Sequence, residues 1–372
     1  MLSTYQNMRS RLGDDTMSEA DRLKLSPYYL NTRRLSELTQ ASVPVVAQTS
    51  LVHNSGERAS AMRQASVLAN AMLQTGDLPN LARAFANEGA DEHVHVATLW
   101  DVFTFGGAME ALGREERGRP PKPATMRGTV ELGGVQYPLI GTLSNDHMYS
   151  QSTPTMLRGK RRIFMAGRFE VRNGLLEVEP YIIGDLVREI SGLKLNWAMG
   201  VRLHPETIDS FSKMAGAPAA TKSELEQLLA TPEDDVKHAV AAIIGEPYVP
   251  KDWGGEKSDL QTAQLRLDGA PISAALIFKG PSVRGEMHLA NMGKRGDQLI
   301  RAFDEPADLI LVQHCNKVAN SVVRMAEALA ANPARPRRYC ILDGNDTVRL
   351  LKAYGVFPPP TAPTGSRSIQ TR

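Results

Sequence analysis

The sequence predicts an α/β protein in which a C-terminal mixed sheet flanked by helices is preceded by a helical segment and a small antiparallel β domain. Three observations predict it. Residues 216–357 alternate helix, hairpin, helix, strand, helix, strand and helix, the rhythm of a layered α/β domain. Residues 126–190 are short alternating runs interrupted by Gly133-Gly134 and Asn173-Gly174, both hairpin signals. Residues 1–115 carry apolar side chains at helical spacing. At ~100–200 residues per domain, a chain of 372 residues has room for two or three cores. An apolar content of 42% excludes disorder as the main theme.

From the start, MLSTYQNMRSRLGDD lacks the apolar stretch of a signal peptide, and no run reaches the ~18 apolar residues of a membrane span. A soluble, cytoplasmic protein is expected. In ERASAMRQASVLANAMLQTG, residues 57–76, Ala, Val, Leu and Met recur at helical spacing and Gly76 supplies a stop. Asp91, Glu92, His93 and His95 follow in ADEHVHVATLW. An H-x-H pair can bind zinc, but no second cluster has ligand spacing, so these read as polar residues bordering a core segment. GREERGRPPKPATMRG, residues 113–128, crowds out apolar side chains and reads as a linker. The domains expected are therefore 1–115 (helical), 116–215 (small β-rich), 216–357 (α/β) and a disordered tail from 358 to 372, PPPTAPTGSRSIQTR.

A net charge of +2 leaves the partner open, so the placement of basic residues matters more than their sum. Lys160, Arg161 and Arg162 precede Phe164 and Phe169 in RGKRRIFMAGRF, and basic residues interleaved with aromatics can grip nucleic acid by phosphate contact and stacking. Arg284, Lys294, Arg295 and Arg301 form a second group in GPSVRGEMHLANMGKRGDQLIR. Glycines flank Lys294-Arg295, and amides of a following helix would point at a phosphate. Cys315 and Cys340 are too few for a disulfide framework or a four-thiolate zinc site, and are expected to be buried thiols in a reducing compartment. There is neither a phosphate-binding Gly-rich loop of the Lys-Ser/Thr type nor a Gly-x-Ser-x-Gly elbow, which disfavours ATP use and serine hydrolysis.

Chemistry concentrates in residues 231–280. A helix capped by Thr231, with Glu233, Asp234 and Asp235 in its first turn, is expected to end near Gly245. Two strands follow, joined at Asp268-Gly269; Asp259 opens the first and Lys279 closes the second. A three-residue loop would make 259 and 279 a cross-strand pair, whereas a two-residue loop slips the register by one and separates them. A carboxylate that holds a divalent ion and a lysine that orients water and stabilises charge on phosphorus suit phosphodiester hydrolysis. ADLILVQHCN, a helix through SVVRMAEALA, and RRYCILDGN make a βαβ unit with parallel strands. Gln313, His314 and Asp343 end those strands, at the edge where open α/β sheets place ligands. Asp343 to Asp346 read as a turn and a helix cap.

The order of helix, hairpin with an acidic residue, lysine at the end of the second strand, helix, strand and helix resembles the core of the PD-(D/E)XK, or restriction-endonuclease-like, nuclease superfamily over residues 220–355. The resemblance implies a restriction-endonuclease-like sheet and a Mg²⁺- or Mn²⁺-dependent endonuclease acting on nucleic acid, DNA in the first instance, with bacterial defence against foreign DNA as a role. It assigns Asp259 to metal binding and Lys279 to catalysis. The sequence departs from the pattern at Ile277, where the family places its second acidic residue. Three residues offer a substitute: Glu256 first, within WGGEKSD; Gln298, beside Asp297, second; Glu233 third. Ile277 equally favours an alternative, an inactive nuclease-fold module that binds nucleic acid or a protein partner. Assembly into a homo-oligomer is left open by the sequence, as is the task of residues 1–215.

Overall fold

The computed structural model of the chain describes residues 23–51, 55–88, 94–120, 122–190, 193–197, 201–250, 257–293 and 296–359. The chain divides into two compact units: Met1–Val201 with Arg324–Pro336, and Arg202–Val323 with Arg337–Arg372. Together they carry two sheets and a set of short to medium helices, a mixed α/β protein. No helix among the described residues is long and apolar enough to cross a membrane.

Unit 1 contains β1 (Leu23–Leu30), α1 (Thr32–Thr39), α2 (Gly56–Thr75), α3 (Leu81–Glu88), β2 (Val94–Gly106), α4 (Ala108–Glu116), β3 (Ala124–Leu132), β4 (Val135–Leu143), α5 (Thr153–Met156), β5 (Gly159–Arg172), β6 (Leu175–Ile190) and β7 (Leu193–Asn196). β5, β2, β3 and β4 lie side by side and antiparallel, in the spatial order of a Greek key. β6 pairs antiparallel with β5 and parallel with β4, so the five strands close on themselves. Closure removes the unpaired edges that an open sheet would present. Further along, β6 pairs with β1 over Leu30↔Ile182 to Leu23↔Arg188, and at its end with β7.

Two strands of this sheet, β1 and β2, come from the region expected to be helical, and the expected boundary near 115 is not a domain boundary. VHVATLWDVFTFG is buried along most of its length, and a near-continuous apolar run cannot be assigned to helix or strand by periodicity. Its β-branched and aromatic side chains suit a pleated surface. α2 is the helix read from residues 57–76, closed by Gly76 in the left-handed region.

α2 also carries Arg58, whose side chain is fully buried. Its Nε donates to the Thr49 carbonyl at 2.9 Å, and its Nη2 to the carbonyls of Asp146 and Met148 at 3.2 and 2.7 Å. One guanidinium therefore fastens three separated main-chain points.

Unit 2 contains β8 (Arg202–Leu203), α6 (Lys222–Leu229), α7 (Glu233–Ile244), β9 (Leu260–Leu267), β10 (Ala270–Lys279), α8 (Asp297–Ala302), β11 (Leu309–His314), β12 (Arg338–Leu342) and α10 (Gly344–Ala353), while α9 (Asn320–Ala330) is divided between the units. The sheet order is β8-β12-β11-β10-β9, with β9 antiparallel to β10 and the other neighbours parallel. One face packs Leu260, Leu276, Phe278, Leu309, Leu311 and Leu342 against apolar residues of α7 and α10. α8 packs on β10. α7 begins after Pro232, not under a Thr231 cap, because the Thr231 hydroxyl is spent on the Gln227 carbonyl at 2.9 Å. Asp343 does cap α10, accepting the Asp346 N–H at 2.9 Å. Of the tail expected from 358, residues 360–372 lie outside the described residues.

In α10, burial and the nearby carboxylates of Asp343 and Glu206 push the Asp346 carboxyl up to about 6, against the pull of Arg349. A carboxyl raised in the fold favours the native state below its unfolded value and loses that contribution as pH rises to about 6. Asp346→Asn should therefore melt above wild type at pH 7.5, with the gap closing near pH 4; thermal melts at the two pH values check it.

Candidate active site

Asp268 and Gly269 both adopt positive φ, 52° and 79°, as a two-residue hairpin turn requires. This turn pairs Leu267 with Ala270, a register that would put Asp259 and Lys279 on opposite faces. The ladder slips by one more residue at a bulge between Ile272 and Ala274, so that Leu260 pairs with Leu276. The two slips restore the parity. The three-residue loop weighed from the sequence is not used, and the residues meet as diagonal neighbours.

Asp259 lies just before β9, its N–H donating to the Leu276 carbonyl at 2.9 Å. Its side chain is buried. Oδ2 accepts the Phe278 N–H at 2.7 Å and Oδ1 accepts the Gln298 Nε2 at 3.1 Å. The Lys279 Nζ stands 4.0 Å from Oδ2, with 15% of its side chain exposed. The lysine stem follows the buried run Ala274–Phe278, which delivers the amine to the strand end. Gln298 arrives from α8, whose Leu299, Ile300 and Ala302 are buried. A carboxylate, an amine and an amide, contributed by three elements, thus converge. Ile277 is fully buried where the resemblance places a second acid.

Glu233 opens α7 and accepts the Gly280 N–H at 2.6 Å. Lys279 is therefore bracketed: a carboxylate binds the N–H of the residue before it and another binds the N–H of the residue after it. A Cβ on Gly280 would lie 2.6 Å from the Glu233 Cβ, so only glycine lets the helix start approach this closely. Gly280→Ala should cost unit 2 about 1–3 kcal/mol, read from urea unfolding, because the overlap is with atoms close to the helix backbone.

Among the described residues, no three His, Cys, Asp or Glu side chains gather as a metal-ligating group. Glu256 lies outside the described residues, and Glu233 is engaged with the backbone. What the site offers a divalent ion is the Asp259 carboxylate and, once the Gln298 amide turns to present Oε1 in place of the Nε2 that now donates to Asp259, the Gln298 carbonyl oxygen. That donor set fits a hard ion such as Mg²⁺, which is commonly held by one or two carboxylates and keeps several of its waters.

His314 is fully buried at the end of β11, paired in the ladder with Lys279. Its Nδ1 lies 3.0 Å from the Lys279 carbonyl and its Nε2 3.0 Å from the Gly285 carbonyl. Gln313, the other strand-end side chain, bonds to the Thr347 hydroxyl at 3.1 Å. Both cysteines are buried free thiols; burial and, to a smaller degree, the charge of Glu233 push Cys315 up to about 11.

The basic residues are distributed differently from the expectation. Arg284 is exposed in the loop after β10. Arg301 lies on α8 with its Nε 3.7 Å from Asp297, and Lys294 and Arg295 lie outside the described residues. In unit 1, Lys160 is exposed, but Arg161 stands 3.6 Å from Asp185 and 5.2 Å over the Tyr28 ring, and Arg162 pairs with Glu327 at 2.6 Å. Phe164 and Phe169 are buried core residues, so the stacking surface read from the aromatic interleaving is absent at these two rings. His95 is likewise buried, 5.0 Å from the Phe85 ring, while Asp91, Glu92 and His93 lie outside the described residues.

Set against protein-family models, curated proteins and solved structures, the chain matches none.

Proposed function

We propose that unit 2 hydrolyses phosphodiester bonds of nucleic acid, DNA in the first instance, with Asp259, Lys279 and Gln298 as its working side chains. What supports this is their convergence at one strand end, with Lys279 20 and Gln298 39 residues after Asp259 along the chain, in a helix, hairpin and helix order that resembles the PD-(D/E)XK nucleases. Asp259 is oriented by two donors, so its carboxylate needs little rearrangement to act. The Lys279 amine, held at the mouth of an apolar strand, orients a water and stabilises charge that builds on the phosphate. Arg284, exposed one loop away, contacts the substrate backbone and so contributes to positioning rather than to sequence reading. Asp259 and Gln298 would hold Mg²⁺ or Mn²⁺, which supplies water activation and charge neutralisation when bound.

A second reading has its own observation. Ile277 fills the acidic position, and both Asp259 oxygens already have donors, as in an inactive module that binds nucleic acid or a protein partner. Incubating the protein with circular and linear DNA, single strands and RNA, with Mg²⁺, Mn²⁺ or chelator, separates the two. Metal-dependent cleavage that disappears in Asp259→Ala and in Lys279→Ala supports the nuclease. Cleavage that persists in both variants overturns it, and retention of nucleic acid without cleavage in any metal favours the binding module.

A further inference from the structure

We propose that unit 1 carries a nucleic-acid site of its own, which holds a single strand by its phosphates on the outer face of β2, β3, β4 and the start of β5; this does not rest on hydrolysis in unit 2.

An imbalance of charge between the two ends of the closed strands carries the proposal. Where β5 turns into β6, the cations are spent on acids. Arg168 pairs with Glu170 at 3.0 Å, Arg172 with Glu170 at 2.6 Å and with Glu177 at 3.6 Å, and Arg34 with Glu179 at 2.8 Å. At the opposite end Arg127, Arg158 and Lys160 are exposed and have no carboxylate partner among the described residues. The same holds for Arg117 and Arg119, in the connection from β2 to β3. Acids of that connection are committed, Glu110 to Lys122 at 3.1 Å and Glu115 to the Asn145 Nδ2 at 2.7 Å, which leaves exposed Glu116 facing a larger number of free cations. Unspent positive charge at this density draws a polyanion.

The strand register orders these groups. Thr104 pairs with Lys160 on one side and with Arg127 on the other, and Arg127 pairs with Ile140, so one line of side chains crosses four strands on the outer face. At ~4.8 Å per strand the two cations stand ~10 Å apart, with a hydroxyl between them. In the next line Gly106 pairs with Thr125, and Thr125 with Thr142. A Cβ added at Gly106 would meet the Thr125 Oγ1 at 3.8 Å, an ordinary contact, so the surface above it is open. The hydroxyls of Thr104, Thr125 and Thr142 have no partner among the described residues. Cations and hydroxyls are the side chains that contact phosphate and sugar, and such contacts carry no sequence information.

Beside this polar shelf, exposed Pro138 and half-buried Ile140 form an apolar strip on β4. Unstacked bases rest on such a strip, whereas a duplex keeps its bases inside the stack. The strip therefore selects a single strand.

Fluorescence anisotropy of the full chain in EDTA, where metal-dependent cleavage is silent, tests the site. The probes are a labelled ~16-nucleotide single strand of DNA, the same sequence as RNA, and the DNA duplex. Wild type should bind both single strands more tightly than the duplex. Arg127→Gln/Lys160→Gln should weaken single-strand binding at least ~10-fold and flatten the slope of log affinity against log salt by ~1.4, at ~0.7 for each cation removed. Arg33→Gln/Arg63→Gln, equal in charge and exposed on α1 and α2, should leave both quantities unchanged, and both variants should melt with wild type. Single-strand retention that survives Arg127→Gln/Lys160→Gln, tighter binding of the duplex, or no binding by wild type overturns the proposal. A chain that binds as expected in EDTA and cleaves nothing with Mg²⁺ keeps this site and loses the nuclease. One that cleaves while Arg127→Gln/Lys160→Gln binds as wild type does the reverse.

Discussion

Asp259→Asn is expected to lower metal-dependent cleavage at least ~100-fold while leaving the fold intact. The substitution keeps the volume and one acceptor oxygen for the Phe278 N–H. The amide of Gln298 can turn to present its oxygen to the new Asn nitrogen, so both hydrogen bonds survive in changed polarity. What is lost is the negative charge, which both the ion and the Lys279 amine require. The rate is read on a supercoiled plasmid and the fold by circular dichroism and thermal melting. Undiminished cleavage by a well-folded Asp259→Asn would remove the carboxylate from the mechanism.

Arg58→Met is expected to cost unit 1 roughly 3 kcal/mol or more, against a total stability of ~5–15 kcal/mol for a typical domain. Methionine fills much of the same buried space, so the effect is one of polarity and not of volume. Removing the guanidinium strands the carbonyls of Thr49, Asp146 and Met148 in the interior, at ~1–3 kcal/mol each, and relief of the cost of burying the cation offsets part of it. Lys160→Met, at an exposed position, should change stability by no more than ~0.5 kcal/mol. Urea unfolding of the two variants gives the comparison, and a loss under about 1 kcal/mol for Arg58→Met would show that water reaches those carbonyls.

The parts of the fold legible in the sequence were those written in local grammar. Asp268-Gly269 announced a hairpin, Gly76 a helix stop, and the strand, helix and strand from 309 to 342 a parallel unit. β2 was hidden because a strand buried along most of its length has no alternation to read. The meeting of Asp259 and Lys279 depended on a bulge that no residue type marks, so the sequence supplied the pair but not the geometry that joins them. Gln298 came from the resemblance, and its bond to Asp259 gives it a definite place. Glu233 had a sufficient local explanation in its helix position, which concealed its hold on Gly280. His314 was legible as a strand-end residue, but that its ring would meet the carbonyls of Lys279 and Gly285 follows only from the loop's path.

The assignment of Arg324–Pro336 to unit 1 bears on how the chain is born. Arg324 bonds to Asp101 and to the Thr129 carbonyl, and Glu327 pairs with Arg162, across sequence separations of 223, 195 and 165 residues. A ribosome therefore releases all the strands of unit 1 long before it releases the helix that neutralises Asp101 and Arg162. Unit 1 cannot be completed during synthesis before most of unit 2 has emerged, so the usual N-terminal-first order is suspended. A stop codon placed between the units, at residue 202, would leave the strands of unit 1 with Asp101 and Arg162 deprived of their Arg324 and Glu327 partners.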